Sequence, residues 1–348
     1  MPKAVAREVR RLRGALEDTI PPKNLERNLV LGTWNIRAFG DISDRWKSGP
    51  GDQPKRDRRA VALITEIVSR FDVIAIQEVR DNLRGLRRMM RALGPHWSFI
   101  LTDVNRGTLG NGERLAFVFD TRRVRLSGLA CELVLSDEDV HVKGAGELVR
   151  QFARTPYGVS FESAGQTFIL VTLHVRFGDI PEDRLPELKA IAEWLRGWAG
   201  EIASWGQNLI ALGDFNIDRA DSDAFRAFTS TGLHPPAALN DVPRTIFDDD
   251  TGHFYDQIAW FDGPRGTPLL TLQFTGRAGD FDFVPHVFRE LDRQAVSWRM
   301  SDHLPLWCEF SVLDSPLPPT PTPPPSPPAA VPPAAPRRPS PRGRRPRR

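Results

Sequence analysis

The chain has 348 residues, of which 40% are hydrophobic and 26% are charged, as in ordinary globular proteins. Its net charge of +3 is unevenly placed, because the last 34 residues hold seven arginines and no acid and leave residues 1–314 at −4. No run approaches the roughly 18 apolar residues of a membrane span, and the basic N-terminus lacks the apolar segment of a secretory signal. These features predict a cytoplasmic, monomeric protein without a membrane span. The two cysteines, Cys131 and Cys308, lie in apolar runs and are expected to be free thiols.

Both ends of the chain differ from its middle. Residues 4–18 have helical spacing, with an apolar stripe among four arginines, and form a basic helical extension over residues 1–28. A solvated helix is favoured over a nucleic-acid contact. Residues 315–348 contain fifteen prolines and are predicted to be an extended, disordered tail. The arginines of the tail could attract phosphate groups or dock a protein. Residues 29–314, between the extension and the tail, are predicted to form the folded domain.

Between these ends, apolar strand-like runs alternate with a few amphipathic helices. The apolar spacing predicts helices near 57–70 and 182–199. Strands are predicted over 29–35 and near 73–78, 97–101, 114–119, 124–130, 150–161, 167–174, 208–213, 255–261 and 306–312. Many strands with few helices indicate an α/β fold with packed mixed sheets rather than a simple doubly wound fold.

Polar side chains stand at the ends of several of these strands. Four continuous apolar runs, LVLGTWN, VIAIQE, FILVTLH and NLIALGDFN, deliver a polar residue at or just past their carboxyl ends, where α/β sheets bind ligands. Two further runs, YDQIAWF and SDHLPLW, place polar residues just before an apolar strand. The resulting set is Asn35, Glu78, His174, Asp214, Asn216, Asp256, Asp302 and His303.

The chemistry of this set favours a hard metal ion. Carboxylate and amide oxygens suit Mg²⁺ or Mn²⁺, whereas zinc would require more histidine or cysteine. Two imidazoles with carboxylates nearby supply a general base and a general acid. A hard cation, a base and an acid together suit the attack of water on a phosphodiester.

Six motifs in order carry a family resemblance: TWNIRAFG, IQEVRDN, LVTLHV, LGDFNID, YDQIAW and SDHLP. With them the chain resembles the endonuclease/exonuclease/phosphatase superfamily and, within it, the deoxyribonuclease I group. The resemblance implies a four-layered α/β sandwich, in which two mixed β-sheets pack face to face between helices with the site at one edge. It also implies a divalent-metal-dependent endonuclease that acts on nucleic acid, most closely on DNA.

The resemblance also implies roles for individual residues. Glu78 resembles the main metal ligand of the family, and Asn35 and Asp302 resemble its helpers. His303 resembles the base that activates water, and Asp256 resembles the carboxylate that orients the ring of His303.

The remaining roles concern the phosphate and the leaving group. Asp214 and Asn216 resemble residues that hold the attacked phosphate and the attacking water. His174 resembles the second imidazole, which protonates or stabilises the leaving oxygen, and Glu113 in NGERLAFVF resembles its carboxylate partner. The phosphate- and DNA-contacting arginines of the family correspond to Arg37, Arg80 and Arg154.

Two segments depart from the family pattern. Asn111 stands where the family has a tyrosine that packs into the minor groove of DNA, and loop 103–112 carries no aromatic residue. This argues against binding duplex DNA in that style. The insertion 41–56 has no counterpart and is a candidate substrate loop.

Alternatives and unassigned residues remain at this point. A phosphatase or a sphingomyelinase-like phospholipid phosphodiesterase on the same fold is one alternative, and a catalytically inactive binding module is the other. Trp194 and Trp198 lie on a predicted helix and are interpreted as packing residues. Five histidines follow no motif and are interpreted as surface or structural residues: His96, His141, His234, His253 and His286.

Overall fold

The structure is a computed structural model that describes residues 1–24, 26–105, 110–134, 152–178, 180–204, 208–247, 253–262 and 269–312. The Pro/Arg-rich tail, the middle of loop 103–112 and His141 lie outside these ranges. None of the helices within these ranges is long and apolar enough to cross a membrane.

The described residues form twelve strands and six α-helices. The strands are β1 (Asn28–Phe39), β2 (Val73–Arg80), β3 (Trp97–Leu101), β4 (Glu113–Asp120), β5 (Arg125–Glu132), β6 (Tyr157–Ser163), β7 (Gln166–His174), β8 (Asn208–Asp214), β9 (Leu233–His234), β10 (Asp256–Phe261), β11 (Gln273–Asp280) and β12 (Leu306–Ser311). The helices are α1 (Lys3–Thr19), α2 (Arg58–Val68), α3 (Arg84–Leu93), α4 (Leu185–Ser204), α5 (Asp223–Thr229) and α6 (Arg293–Ser297).

The strands form two six-stranded mixed sheets. The first has the order β11-β12-β1-β2-β4-β3, and the second has the order β5-β6-β7-β8-β10-β9. In each sheet one central pair is parallel, β1 with β2 and β7 with β8, and the other pairs are antiparallel.

Three apolar clusters make these sheets a four-layered sandwich. The central cluster joins β1, β2, β4 and β12 of the first sheet to β6, β7, β8 and β10 of the second. A second cluster packs α1, α2 and α3 on the outer face of the first sheet, and a third packs α4 and α5 on the outer face of the second. Burying apolar area on both faces of each sheet explains why the central strands read as continuous apolar runs. The predicted fold class is confirmed.

Most predicted elements occur within a few residues of their predicted positions. Helix α2 begins at an N-cap, where the Asp57 side chain accepts a hydrogen bond from the Ala60 N–H. The strand predicted near 150–161 instead begins at Tyr157, because Pro156 has no N–H to donate to a central ladder. The helix predicted near 182–199 runs over α4, after a 3₁₀ turn at Pro181–Arg184.

Helix α1 packs against the folded domain and is not the solvated extension that the sequence predicted. Its apolar stripe is buried in the cluster on the outer face of the first sheet, while its four arginines remain exposed. Glu8 is buried beneath it and pairs with Arg59 at 2.5 Å between Oε2 and Nε. The helix therefore packs onto the same compact unit as the strands.

The remaining interpretations concern cysteines and tryptophans. Cys131 and Cys308 are free, as expected, and Cys308 is fully buried. Trp194 and Trp198 are partly buried on α4 and meet edge to face, with ring centroids 5.0 Å apart. Their interpretation as packing residues is confirmed.

Candidate active site

The predicted site residues meet because of strand direction. The parallel pairs β1/β2 and β7/β8 end at one edge of the sandwich, and β10 and β12 begin there because they run antiparallel to β8 and β1. The register pairs Asp214 with both His174 and Asp256 across neighbouring strands. A cleft of about 410 Å³ opens at this edge, and nine of the predicted site residues line it. They are Asn35, Glu78, Glu113, Arg154, His174, Asp214, Asn216, Asp302 and His303.

Unusual backbone conformations direct two of these side chains. Glu78 has φ +59° and lies where the pairing of β2 with both neighbours shifts register, as at a β-bulge. Asn216 has φ +51°, and its backbone N–H donates to Oδ1 of Asp214 at 2.9 Å. Non-glycine residues in this region carry a conformational cost and cluster at functional sites. At Gly213, with φ +149°, an added Cβ would lie 2.1 Å from the carbonyl oxygen of Leu173, so only glycine permits the close approach of β7 and β8 here.

His303 is held by a buried carboxylate. Its Nδ1 lies 2.6 Å from Oδ2 of Asp256, which is fully buried. Burial opposes the charged imidazolium, but the negative charges of Asp256 and Asp214 outweigh it and raise the pKa of His303 well above its ordinary value. Burial also raises the pKa of Asp256 to about 6, although His303 pulls it down. The contact leaves Nε2 of His303 facing the cleft, which it lines.

His174 has a different carboxylate partner. Its Nδ1 lies 3.0 Å from Oε2 of Glu113, outside hydrogen-bond geometry. Arg154 Nε reaches the same oxygen at 2.5 Å. Burial would raise the pKa of Glu113, but His174 and Arg154 lower it to about 2. Glu113 is therefore an ionised carboxylate behind His174.

Asp214 lies between the two imidazoles. Its Oδ2 is 3.5 Å from Nε2 of His174 and 3.9 Å from Nε2 of His303. The same oxygen accepts a hydrogen bond from Nδ2 of Asn35 at 3.0 Å. Burial tends to raise the pKa of Asp214. The two imidazoles and the hydrogen bonds from Asn35 and from the Asn216 N–H outweigh burial and keep that pKa below its usual value. Both imidazole nitrogens that face the cleft are thus gathered around one carboxylate.

A buried polar network connects the sheets just beneath the site. Gln77 Nε2 donates to Thr172 Oγ1 of the second sheet at 2.9 Å and to Thr33 Oγ1 at 3.1 Å. All three residues are fully buried. Because each lies one or two positions from a predicted site residue, the network sets the spacing of the sheets where the two halves of the site meet.

The residues predicted to hold a metal ion have a donor set that fits a hard cation. Asn35 Oδ1 is buried and has no hydrogen-bond partner, and Glu78 and Asp302 open onto the same cleft. Within the described residues no three histidine, cysteine, aspartate or glutamate side chains are placed to hold a metal ion. Mg²⁺ is commonly held by only one or two carboxylates and keeps several waters, so one amide and two carboxylates are compatible with it.

Of the three predicted phosphate-binding arginines, only Arg154 lines the cleft. Arg80 lies beside the cleft, and its Nη2 is 3.4 Å from Oε2 of Glu78 and 3.4 Å from Oε1 of Glu113. Arg37 Nη1 lies 3.2 Å from Oδ2 of Asp302. All three arginines are paired with carboxylates of the site.

Sequence reasoning missed the aromatic part of the cleft. His253 lines the wall and stacks on Tyr255, with centroids 4.4 Å apart. Phe177 and Phe247 also line the cleft. His253 and Tyr255 precede Asp256 by three and one positions, so alternation before the YDQ motif was a usable signal. No sequence signal distinguishes Phe177 from a core phenylalanine.

Comparisons with known proteins agree with this geometry. The model of the endonuclease/exonuclease/phosphatase family matches residues 32–304. A deoxyribonuclease of Thioalkalivibrio sp. (strain K90mix) is 28% identical over 295 residues, which cover 81% of this chain and 71% of that protein. Deoxyribonuclease gamma of Rattus norvegicus is 24% identical over 307 residues, which cover 83% of this chain and 86% of that protein.

Solved structures share the same fold. An endonuclease/exonuclease/phosphatase family protein from Bacteroides thetaiotaomicron has a TM-score of 0.53 and 19% identity, covering 82% of this chain and 97% of that one. Because the family model spans most of the chain, the chain belongs to the endonuclease/exonuclease/phosphatase family.

Proposed function

We propose that the chain is a divalent-metal-dependent endonuclease that hydrolyses phosphodiester bonds of DNA. Membership of the family and the similarity to deoxyribonucleases support a phosphodiester hydrolase. The observation that carries the finer proposal is the pairing of two imidazoles with separate carboxylates. His303 pairs with Asp256 and His174 pairs with Glu113, and both rings present Nε2 to one cleft. A hydrolase that needs both a base and an acid requires such a division.

The metal ion has an assigned place in this proposal. Glu78, Asn35 and Asp302 would hold it, with the unpartnered Oδ1 of Asn35 as one donor. A divalent cation there would polarise the phosphate and offset its growing negative charge. We propose Mg²⁺ or Mn²⁺, because all three side chains offer oxygen donors.

The side chains of the chain carry the proton transfers. His303 Nε2 takes a proton from the attacking water, while Asp256 fixes the tautomer through Nδ1 and stabilises the imidazolium that forms. Because its pKa is raised, His303 must first lose its own proton, and a cation held by Glu78 and Asp302 would favour that loss by repulsion.

The second imidazole serves the leaving group. His174 Nε2 gives a proton to the departing oxygen, and the ionised Glu113 lies behind that imidazole at Nδ1. Asp214 lies between the two rings, and its carboxylate, held by the Asn216 N–H, would position the attacking water and the attacked phosphate together with Asn216. Arg154 supplies positive charge beside the phosphate.

A substrate panel tests the proposal. Plasmid DNA, single-stranded DNA, RNA, sphingomyelin and inositol phosphates are each incubated with Mg²⁺ and the purified chain. We expect hydrolysis of DNA with internal cleavage, seen as nicked plasmid. Hydrolysis of sphingomyelin or inositol phosphates with intact plasmid would replace the proposal with the phosphodiesterase or phosphatase alternative, and hydrolysis of none would favour a binding protein.

A further inference from the structure

Two exposed aromatic rings lie close to residues of the proposed catalytic cleft. Among the phenylalanine, tyrosine and tryptophan side chains that the structure describes, only Phe177, at 57%, and Trp298, at 46%, fall in the exposed class. Phe177 lines the cleft three residues after His174, and Trp298 stands four residues before Asp302. A single exposed aromatic ring needs no explanation, but two that both adjoin one site indicate a binding surface.

Each exposed ring is backed by a fixed guanidinium group. Arg184 Cζ lies 4.3 Å from the centroid of the Phe177 ring, and Arg184 is almost fully buried. Arg184 Nη1 donates to the carbonyl oxygen of Asn216 at 2.6 Å and contacts Oδ2 of Asp218 at 2.7 Å. The orientation of the Phe177 ring is therefore tied to a residue of the site.

Trp298 is held in the same way. Arg37 Cζ lies 3.7 Å from the centroid of the Trp298 ring. Arg37 Nη1 contacts Oδ2 of Asp302 at 3.2 Å and donates to Ser297 Oγ at 3.0 Å. Because the guanidinium is itself fixed, its cation–π contact restricts the motion of the ring before any ligand binds. The ring therefore loses little conformational entropy on binding.

The two rings come from different sheets. Phe177 follows β7 of the second sheet, and Trp298 follows α6 and precedes β12 of the first sheet. Both rings therefore adjoin the one cleft, Phe177 as part of its lining and Trp298 through Arg37, which contacts the lining residue Asp302. A phosphate in the cleft would have these two flat apolar surfaces in its neighbourhood.

We propose that Phe177 and Trp298 are stacking platforms for two nucleobases that flank the scissile phosphate, so that the cleft binds single-stranded DNA more tightly than duplex DNA. The inference rests on the proposed function of the site. Stacking on aromatic rings requires a base whose face is free, and the bases within a duplex are already stacked on their neighbours. His253 and Tyr255, stacked on each other in the cleft wall, add to the same apolar surface.

Binding without turnover tests the inference independently of catalysis. The full chain carrying His303→Ala is titrated into a single-stranded oligonucleotide with a central 2-aminopurine, whose fluorescence falls on stacking, and into its duplex. Phe177→Ala and Trp298→Ala are added to that background, with Leu126→Ala as the control. Leu126 is also exposed, at 46%, but lies on β5 and outside the cleft.

We expect each aromatic substitution to weaken single-strand binding about five- to a hundredfold and to relieve the fluorescence quenching. Leu126→Ala should change neither, and duplex binding should change by less than about twofold. Trp298→Phe should retain most of the affinity and Phe177→Leu should not, because a ring rather than volume is required.

The inference is overturned if both aromatic variants bind single strands as the Leu126→Ala control does. It is also overturned if the parent chain binds no single strand, or if duplex binding falls in equal proportion. Plasmid nicking by the unmutated chain reports on the proposed function separately. If that chain nicks plasmid but the aromatic variants bind single strands as well as the control does, only the stacking platforms are rejected.

Discussion

The Nδ1 atom of His303 lies 2.6 Å from Oδ2 of the fully buried Asp256, and this contact leaves Nε2 of the imidazole for the cleft. Such a carboxylate fixes the tautomer of the ring and stabilises its protonated form. A base in this arrangement is oriented before the substrate arrives.

Asp256→Asn should therefore lower kcat by between about a hundred- and ten-thousand-fold, as expected for impaired general base catalysis. The shape of the side chain is kept, so circular dichroism and the midpoint of thermal unfolding should stay close to those of the parent chain. Plasmid nicking at saturating substrate measures the effect. A variant that retains parental kcat would remove Asp256 from the mechanism.

The roles of the two imidazoles can be separated by the leaving group. His174→Ala should slow DNA cleavage about a hundredfold or more, since the departing sugar oxygen needs a proton. A p-nitrophenyl phosphodiester has a leaving group that needs none, so His174→Ala should hydrolyse it nearly as fast as the parent chain does.

His303→Ala is the matched control for this comparison, because loss of the base should slow both substrates. Equal losses on both substrates for His174→Ala would show that His174 does not protonate the leaving group.

Glu78 is the proposed metal ligand whose loss should be most informative. Glu78→Gln keeps the size of the side chain but removes its charge, so we expect the Mg²⁺ concentration for half-maximal activity to rise about tenfold or more. The increase in unfolding temperature that Mg²⁺ gives the parent chain should shrink in parallel. Glu162→Gln, a change at an exposed surface pair with Arg125, is the control. An unchanged Mg²⁺ dependence in Glu78→Gln would move the metal site elsewhere.

Away from the site, Asp280 is expected to make the free energy of unfolding depend on pH. Burial raises the pKa of this carboxyl at the end of β11 from 3.8 to about 6, with Asp282 adding to the shift. Because the carboxyl pKa is raised in the folded state, the folded chain binds a proton more tightly than the unfolded chain does. Ionisation of Asp280 therefore lowers the free energy of unfolding as pH rises from about 4 to about 6, and the loss stays constant above about pH 6.

Asp280→Asn should consequently stabilise the fold by about 1–3 kcal/mol at pH 7.5 and by nothing measurable near pH 4. Urea unfolding of both chains across this range measures the gap. A gap that is constant with pH would mean that ionisation of Asp280 is not its cause.

Sequence patterns predicted the parts of the fold whose signal is local. Apolar runs that end in a polar residue located β1, β2, β7 and β8, and the same runs supplied five of the fifteen residues that line the cleft. Helix α3 and strand β11 were not predicted. Few residues of α3 are buried, and β11 is a largely exposed edge strand without an apolar run.

What the patterns missed depends on contacts between distant segments. Arg56, the last residue of the insertion 41–56, is buried. It donates hydrogen bonds to the carbonyl oxygens of Arg37, Ala38, Arg299 and Met300. No local period reveals such a partner set, and none reveals that Phe177 and Trp298 remain exposed while most other aromatic rings pack inside.

Nicking of supercoiled plasmid by the full chain with Mg²⁺, with EDTA, and after His303→Ala tests the central claim most directly. We expect nicking with Mg²⁺ alone, and loss of nicking both in EDTA and in the folded His303→Ala variant. Nicking that survives EDTA and the substitution would contradict it.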